Sequence, residues 1–265
     1  MSAVEITRPR EWVARITLNR PDAMNAMNHD LIRGLYDAFA ELRDDRSCRV
    51  IVLTGAGRAF CAGLDLREGA SPPSNKDLGR VAGSLVVQQS IANLVPTMRS
   101  MRQPIIAAVN GAASGGGFAL ALASDIRVCS PRARFNAAFV RVGVSGCDIG
   151  VSWMLPRLVG ASRAYQLMLT GRFVEADEAE RMGLVTTVDD DVLAAADAQV
   201  DLILANSPFG VHMTKEVMWS QLEIGSLQAG IDLENRTQLL ASYTSDLQEA
   251  MRAFVEKRPP VFGDQ

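Results

Sequence analysis

The segment NGAASGGGFALALASDIRV, from Asn110 to Val128, places three consecutive glycines before an apolar run. The residues leading into it, PIIAAVNG (104–111), have the continuous apolar pattern of a buried strand, and FALALAS (118–124) is typical of a helix. The free N–H groups at the start of a helix, together with its dipole, stabilise a developing negative charge, and glycine lets a ligand approach the backbone. The segment therefore predicts a strand, a glycine turn and a helix. The turn is either an oxyanion site or only a close helix–strand contact.

Short apolar runs alternate with helical patterns on both sides of this segment. VARITLN (13–19) and RVIVLTG (49–55) predict strands, and SDIRVCS (124–130) and GLVTTV (183–188) are weaker versions. Apolar residues recur at helical spacing after Asn28, a fair N-cap residue, and only helical patterns follow residue 190. The alternation predicts an α/β core with much parallel pairing over residues 1–195. Residues 196–265 are expected to form a helical region that packs on the core or on neighbouring subunits.

The composition excludes several classes of protein. The 265 residues carry a net charge of -3, which argues against a nucleic-acid binder that relies on bulk positive charge. No apolar stretch reaches the roughly 18 residues that span a bilayer, and MSAVEITRPREW lacks a signal-peptide core, so we expect a cytoplasmic protein. The four cysteines form no C-x-x-C pair and only two histidines accompany them, so no metal site is expected.

A second glycine turn, TGAGRAFCAG (54–63), follows another predicted strand. Neither turn has the G-x-G-x-x-G spacing, and G-K-[ST] is absent, which argues against a dinucleotide or triphosphate site. Ser145 in GVSGC misses the G-x-S-x-G pattern because Cys147 replaces the last glycine, so a serine hydrolase is poorly supported. An N–H group near Ala62 would instead complete a two-donor oxyanion hole for an enolate or a tetrahedral intermediate.

Four stretches together resemble the crotonase, or enoyl-CoA hydratase/isomerase, superfamily: ITLNRPDAMNAMN (16–28), VIVLTGAGRAFCAGLDL (50–66), QPIIAAVNGAASGGGFALALASDIRV (103–128) and LTGRFVEADEAERMGLV (169–185). The resemblance implies an α/β fold, a crotonase-like spiral of repeated ββα units, followed by C-terminal helices that build trimers or dimers of trimers. It implies an acyl-CoA thioester substrate, with coenzyme A as part of that substrate and no cofactor of the protein's own. The family's oxyanion hole maps onto the N–H groups of Ala62 and Gly116.

The resemblance also implies a site for the rest of the acyl-CoA. Arg20 and Ala23 are expected near its nucleotide end, and Phe254 and Lys257 are expected to reach the adenine from an adjoining subunit. For Lys257, a solvated helix end is the alternative. The implied substrate-binding residues are Arg20, Ala23, Ala62, Gly63, Leu64, Asp65, Leu66, Gly115, Gly116, Phe139, Phe254 and Lys257.

Two positions depart from the hydratases of the family, which add water with the help of two glutamates. The matching positions hold Ala119 and Phe139, and an apolar side chain cannot transfer a proton. Asp148, in GVSGCDIGVSWMLPRLVG, lies in the loop where related dienoyl-CoA isomerases and 4-chlorobenzoyl-CoA dehalogenases carry a functional aspartate. Its alternative role is the N-cap of the helix predicted from IGVSWML.

One acid beside an oxyanion hole suits a proton shuttle better than it suits hydration. The sequence therefore predicts double-bond isomerisation of an enoyl-CoA, with Asp148 as the acid/base group in an apolar pocket that includes Phe139. Trp153 either lines this pocket or, as is commoner for such a residue, belongs to the core. An enoyl-CoA hydratase is the alternative enzyme, because hydration is the superfamily's commonest activity. A non-catalytic acyl-CoA-binding scaffold is the alternative outside enzymes.

Overall fold

The computed structural model describes residues 2–72 and 77–263. Its strands are β1 (Val4–Arg10), β2 (Trp12–Leu18), β3 (Cys48–Gly55), β4 (Ala59–Cys61), β5 (Ile105–Val109), β6 (Ala112–Ser114), β7 (Ile126–Cys129), β8 (Arg134–Asn136), β9 (Val174–Glu175) and β10 (Thr187–Val188). Its α-helices are α1 (His29–Arg43), α2 (Arg80–Ala92), α3 (Leu94–Arg99), α4 (Gly116–Ala123), α5 (Val151–Val159), α6 (Ala161–Thr170), α7 (Ala176–Arg181), α8 (Val192–Leu204), α9 (Pro208–Gln221), α10 (Leu227–Ser242) and α11 (Ser245–Glu256). Short 3-10 helices cover Pro21–Ala23 and Ala138–Val142.

The strands form two sheets that the chain visits in turn. The larger sheet has the order β1-β2-β3-β5-β7-β10, and the smaller has the order β4-β6-β8-β9. Pairing is parallel except between β1 and β2 and between β8 and β9. The pairs β3–β4, β5–β6 and β7–β8 each place one strand in the larger sheet and the next in the smaller sheet, and a helical segment follows, whereas β1 and β2 both lie in the larger sheet before α1. The predicted α/β spiral of ββα units is therefore confirmed.

The predicted elements around the glycine segment are confirmed within a few residues. Asn28 caps helix α1 as expected, because its Oδ1 accepts a hydrogen bond from the Leu31 N–H at 3.0 Å. Strand β1 was not predicted from the sequence. It pairs antiparallel at the edge of the sheet with only Val4 buried, and exposed charged residues such as those of VEITRPR are typical of an edge strand.

The main core lies on the face of the larger sheet that meets α1, α3, α4 and the smaller sheet. Helix α4 is buried at all of its positions, as expected of a helix that is apolar all round. The core therefore encloses the helix that the three glycines begin, which fixes the position of that turn relative to both sheets.

Helix α8 covers the opposite face of the larger sheet. Its buried residues Val192, Ala196 and Val200 pack with valines and isoleucines of the strands. The predicted boundary between residues 195 and 196 falls inside this helix. Helix α8 therefore joins the two predicted regions, and helices α9 to α11 follow it. Among the described residues, no helix is long and apolar enough to cross a membrane.

Candidate active site

Each of the three consecutive glycines has its own structural reason. Gly115 has φ +51°, in the left-handed region that residues with side chains rarely adopt. A Cβ on Gly116 would lie 2.8 Å from Sδ of Met27, and a Cβ on Gly117 would overlap the carbonyl oxygen of Cys61. Close packing of the glycine turn on strand β4 is therefore confirmed. Whether the turn also serves a ligand depends on its amide groups.

The Ala62 amide is not available to a ligand, and its predicted role as an oxyanion donor is wrong. The Ala62 N–H donates a hydrogen bond to the Met24 carbonyl oxygen at 3.0 Å. A backbone amide has a single N–H, so this bond occupies it.

Leu64 carries the amide that is free in the same turn. The Met27 N–H donates to the Gly63 carbonyl at 2.7 Å, and the Asp65 N–H donates to the Met27 carbonyl at 3.0 Å. These two bonds form a parallel bridge between Met27 and Leu64, which directs the N–H of Leu64 itself away from Met27. Within residues 2–72 and 77–263, no acceptor takes the Leu64 N–H.

The glycine turn supplies a second free amide beside it. Gly116 is the first residue of α4, so its N–H has no acceptor within the helix. No other described residue accepts a hydrogen bond from it. The two turns are in contact, because a Cβ built on Gly63 would lie 3.5 Å from the Gly116 nitrogen. Leu64 and Gly116 thus form a pair of candidate donors at the positive end of a buried helix.

Asp65, expected among the substrate-binding residues, braces the turn that presents Leu64. Its Oδ1 accepts hydrogen bonds from the N–H groups of Arg67 and Glu68 at 3.0 and 3.1 Å, and its Oδ2 pairs with Arg20 at 2.9 Å. The Glu68 amide bond, followed by the contacts of Arg20 and Arg67, lowers the pKa of the Asp65 carboxyl although burial opposes this. Arg20 also pairs with the Glu68 carboxylate at 2.9 Å, so its guanidinium ties this loop to the segment before α1.

The positions that hold glutamates in family hydratases are apolar and buried here. Ala119 lies inside α4 with no exposed surface, and Phe139 is 7% exposed. The Phe139 ring borders the glycine turn, since a Cβ on Gly115 would lie 3.7 Å from its Cε1. Among the described residues, the wall beside the two free amides therefore has no acid at either position.

Asp148 lies in a loop that also contacts the glycine turn. The next residue, Ile149, places its Cδ1 3.6 Å from the Cβ position of Gly116. Ile149 has φ +48°, a strained conformation for a β-branched residue, of the kind that concentrates at functional sites. Asp148 is half-buried, and its Oδ1 accepts hydrogen bonds from the Ile149 N–H at 2.8 Å and from Nε2 of Gln88.

The alternative role of Asp148 as a helix N-cap is wrong. Helix α5 begins at Val151, its N-cap residue is Gly150, and no side chain caps it. The Asp148 side chain instead bonds to its own neighbour and to Gln88 on α2. The carboxylate therefore does not cap helix α5, and it remains available for another role.

Of the two roles expected for Trp153, the structure favours the core, because its side chain packs against the main core. Two guanidinium groups contact its ring, with the Arg157 Cζ 3.9 Å and the Arg99 Cζ 4.8 Å from the ring centroid. It lines a cavity of about 430 Å³ between the core and α9, together with Trp219 and Lys215. The tryptophan thus belongs to the contact between the core and the C-terminal helices.

Several predicted binding residues lie on exposed surface. Leu66 is 72% exposed, whereas Ala23, at the end of a short 3-10 helix, is half-buried. Phe254 is 86% exposed on α11, and Lys257 follows that helix with φ +53°. In the part of the chain that the structure describes, no hydrogen bond joins the Phe254 or Lys257 side chain to the two turns. Their assignment to a neighbouring subunit's site stays a prediction.

Cysteine and metal chemistry add little to the site. Cys48, Cys61 and Cys129 are buried and Cys147, next to Asp148, is exposed. Across residues 2–72 and 77–263, no group of three or more His, Cys, Asp or Glu side chains could hold a metal ion.

Sequence reasoning missed three residues that the structure brings to this site: Met27, Leu64 as a donor and Gln88. Met27 and Leu64 lie in stretches that carry the family resemblance. The sequence therefore identified the correct segments, but not which backbone amide is the free donor. Gln88 lies on α2, where exposed apolar residues give no clear helical face, so no pattern marked it.

Comparison with known proteins gives consistent matches over the whole chain. A family model described as enoyl-CoA hydratase/isomerase matches residues 8–265. The chain is 42% identical to a probable enoyl-CoA hydratase of Mycobacterium tuberculosis, over 100% of this chain and 94% of that protein. It is 36% identical to the 1,2-epoxyphenylacetyl-CoA isomerase of Escherichia coli K12, over 97% of each. The crystal structure of a probable enoyl-CoA hydratase/isomerase from Mycobacterium abscessus superposes with a TM-score of 0.93 at 40% identity, and the match covers 100% of both chains.

Proposed function

Because the chain belongs to the enoyl-CoA hydratase/isomerase family, we propose that it moves the carbon–carbon double bond of an enoyl-CoA thioester, with Asp148 as the acid/base group. One observation carries this proposal. Asp148 precedes Ile149, whose side chain contacts the Gly116 position, while Ala119 and Phe139 leave both hydratase glutamate positions without an acid. Isomerisation needs one group that takes and returns a proton, and hydration needs water to be activated as well.

The thioester oxygen would accept hydrogen bonds from the N–H groups of Leu64 and Gly116. Both amides are held by rigid surroundings, the first by the Met27 bridge and the Asp65 brace, the second by the buried helix α4. Donors fixed in advance stabilise a developing enolate without reorganisation, and one donor is worth about 3 kcal/mol of activation energy.

Asp148 would then transfer the proton. Its carboxylate removes a proton from the α-carbon of a 3-enoyl thioester, and the electron pair of that C–H bond moves onto the thioester oxygen. The resulting dienolate is held by the two amides. Return of the proton to the γ-carbon moves the double bond to the α,β-position and gives the conjugated 2-enoyl thioester, so atoms and charge balance without a metal or a redox cofactor.

The rest of the acyl-CoA would follow the exposed edge of the same loops. We assign Arg20 and Ala23 to the nucleotide end and the segment Gly63–Leu66 to the pantetheine. The braced position of Arg20 between Asp65 and Glu68 supports a role in holding this edge in shape. Phe254 and Lys257 would contribute from a neighbouring subunit of a trimer, which their exposure in one chain supports.

The test is turnover of matched 3-enoyl-CoA and 2-enoyl-CoA substrates, followed by the absorbance of the conjugated thioester. We expect conjugation to be gained from the 3-enoyl substrate, and we expect Asp148→Asn to lower kcat by about 10²- to 10⁴-fold. Asp190→Asn, at an exposed position after β10, is the matched control and should leave kcat unchanged.

Two other outcomes would replace this proposal with the alternatives. Loss of conjugation from the 2-enoyl substrate, with recovery of a 3-hydroxyacyl-CoA, would mean hydration, which the name of the Mycobacterium tuberculosis relative suggests. Tight acyl-CoA binding without turnover of either substrate would mean a binding scaffold.

A further inference from the structure

We infer that Gln88 is a positioning residue for Asp148, and this inference rests on the isomerase proposed above. Gln88 lies on α2 and donates a hydrogen bond from Nε2 to Oδ1 of Asp148, 60 positions later in the chain. Among the described residues, Gln88 is the one outside the Asp148 loop whose side chain hydrogen bonds to the Asp148 carboxylate. A carboxylate only accepts hydrogen bonds, so the NH₂ end of the amide faces it.

The two bonds to Asp148 distinguish its oxygens. Oδ1 accepts from Gln88 and from the Ile149 N–H, whereas no described donor reaches Oδ2. Two donors from different directions fix the rotation of the carboxylate plane. Oδ2 is thus left as the oxygen that exchanges a proton with the substrate, and its direction is set by Gln88 and the backbone together.

Helix α2 is anchored close to Gln88. Ser90, two residues on, accepts a hydrogen bond at its carbonyl from the Tyr36 hydroxyl at 2.7 Å. Ile91, one turn beyond Gln88, is 5% exposed, and Val87 packs against the main core. The position of the Gln88 backbone is therefore fixed by α1 and the core, although its own side chain lies at the surface.

An uncharged donor suits a group that must change its protonation state. The Gln88 amide can donate to Oδ1 both when Asp148 is ionised and when Oδ2 carries the proton. A lysine or arginine at this place would favour the ionised form strongly and oppose protonation. A glutamine orients the Asp148 carboxylate and favours its ionised form less strongly than a lysine or an arginine would.

The test compares Gln88→Met, which keeps the length of the side chain and removes the donor, with Gln89→Met as its control. Gln89 is an exposed glutamine on the same helix, and none of the described residues hydrogen bonds to its side chain. We expect Gln88→Met to lower kcat on the 3-enoyl substrate about tenfold to hundredfold, as for a lost hydrogen bond to a charged group, with KM unchanged. The kcat isotope effect with substrate deuterated at the α-carbon should rise, because the proton transfer is the step that is slowed.

Three results would overturn the inference. An increase in KM alone would make Gln88 a substrate contact, and an unchanged kcat would make the hydrogen bond irrelevant to catalysis. An equal loss of kcat in Gln88→Met and Gln89→Met would show a general effect on α2, and the thermal unfolding midpoints of both variants check for it. Full activity of Asp148→Asn would instead remove the proposed function itself, so the two failures are distinguishable.

Discussion

The ammonium group of Lys215 lies 2.8 Å from Oδ2 of Asp125, and this buried ion pair fastens helix α9 to the start of strand β7. The Lys215 side chain is 5% exposed and also donates to the Gln103 carbonyl at 2.9 Å. Asp125 accepts in addition from the Ile105 N–H and from the Trp219 indole. One aspartate thus links two strands of the larger sheet to the C-terminal helices.

Removal of one partner should therefore destabilise the protein strongly. Lys215→Met leaves the partly buried Asp125 carboxylate without its countercharge, and we expect a loss of about 3 kcal/mol in the free energy of unfolding. Urea unfolding followed by circular dichroism measures this. Glu216→Gln, at an exposed position of the same helix, should change the free energy by less than about 0.5 kcal/mol. A small effect of Lys215→Met would mean that α9 is not held by this pair.

The hydrogen bonds and ion pair of Asp65 make part of the free energy of unfolding depend on pH. Folding lowers the pKa of its carboxyl, chiefly through the Glu68 amide. Its contribution is thus complete above the ordinary value near 4 and is lost as the pH falls through the lowered folded value. We expect Asp65→Asn to be less stable than the wild type at pH 7, with a difference that shrinks below about pH 4.

Urea unfolding of both proteins at several pH values between neutral and acid measures that difference. A difference that stays constant with pH would show that the asparagine disturbs the loop by its shape, not by its missing charge.

The contact between the two turns should not tolerate a methyl group. A Cβ at residue 117 would overlap the Cys61 carbonyl, and backbone cannot move aside as a flexible side chain can. We expect Gly117→Ala to cost about 1–3 kcal/mol of stability and to lower turnover as well. Gly225→Ala is the control, because nothing lies within 4 Å of its Cβ position. Equal stability of the two variants in thermal unfolding would contradict the close contact.

The four cysteines should differ sharply in their reaction with a thiol reagent. Burial raises the pKa of both the Cys61 and the Cys129 thiols to about 12, and Cys48 is buried too. Cys147 is exposed in the loop beside Asp148. We expect a disulfide reagent to modify one thiol rapidly in the native protein and none in Cys147→Ser. Rapid modification of a second thiol would mean that the core opens more easily than its packing indicates.

The large-scale fold was predictable because its signals are local and repeated. Continuous apolar runs predict β3 and β5, and a glycine turn before FALALAS predicts the start of α4. Family resemblance adds the spiral order. Strand β1 was missed because an edge strand buries little, so its sequence lacks the apolar alternation on which such a prediction depends.

The site was predictable by segment but not by atom. In an extended chain the N–H groups point to alternate sides, and Gly63 breaks that alternation with φ +93°. Ala62 is thereby bonded to Met24 while Leu64 is free, a difference that composition and spacing do not contain. Gln88 and Asp148 meet only because α2 and the loop before α5 pack together, and a pair so distant in sequence leaves no local signal.

The half-buried position of Asp148 has an isotopic consequence. A carboxyl group that water can reach exchanges its hydrogen with the solvent, so the hydrogen taken from the α-carbon is not necessarily the one delivered to the γ-carbon. Isomerised product formed in heavy water should therefore carry deuterium at the γ-carbon, which mass spectrometry would detect. The deuterium content would report how often the solvent replaces the hydrogen on the Asp148 carboxyl group before the dienolate is reprotonated.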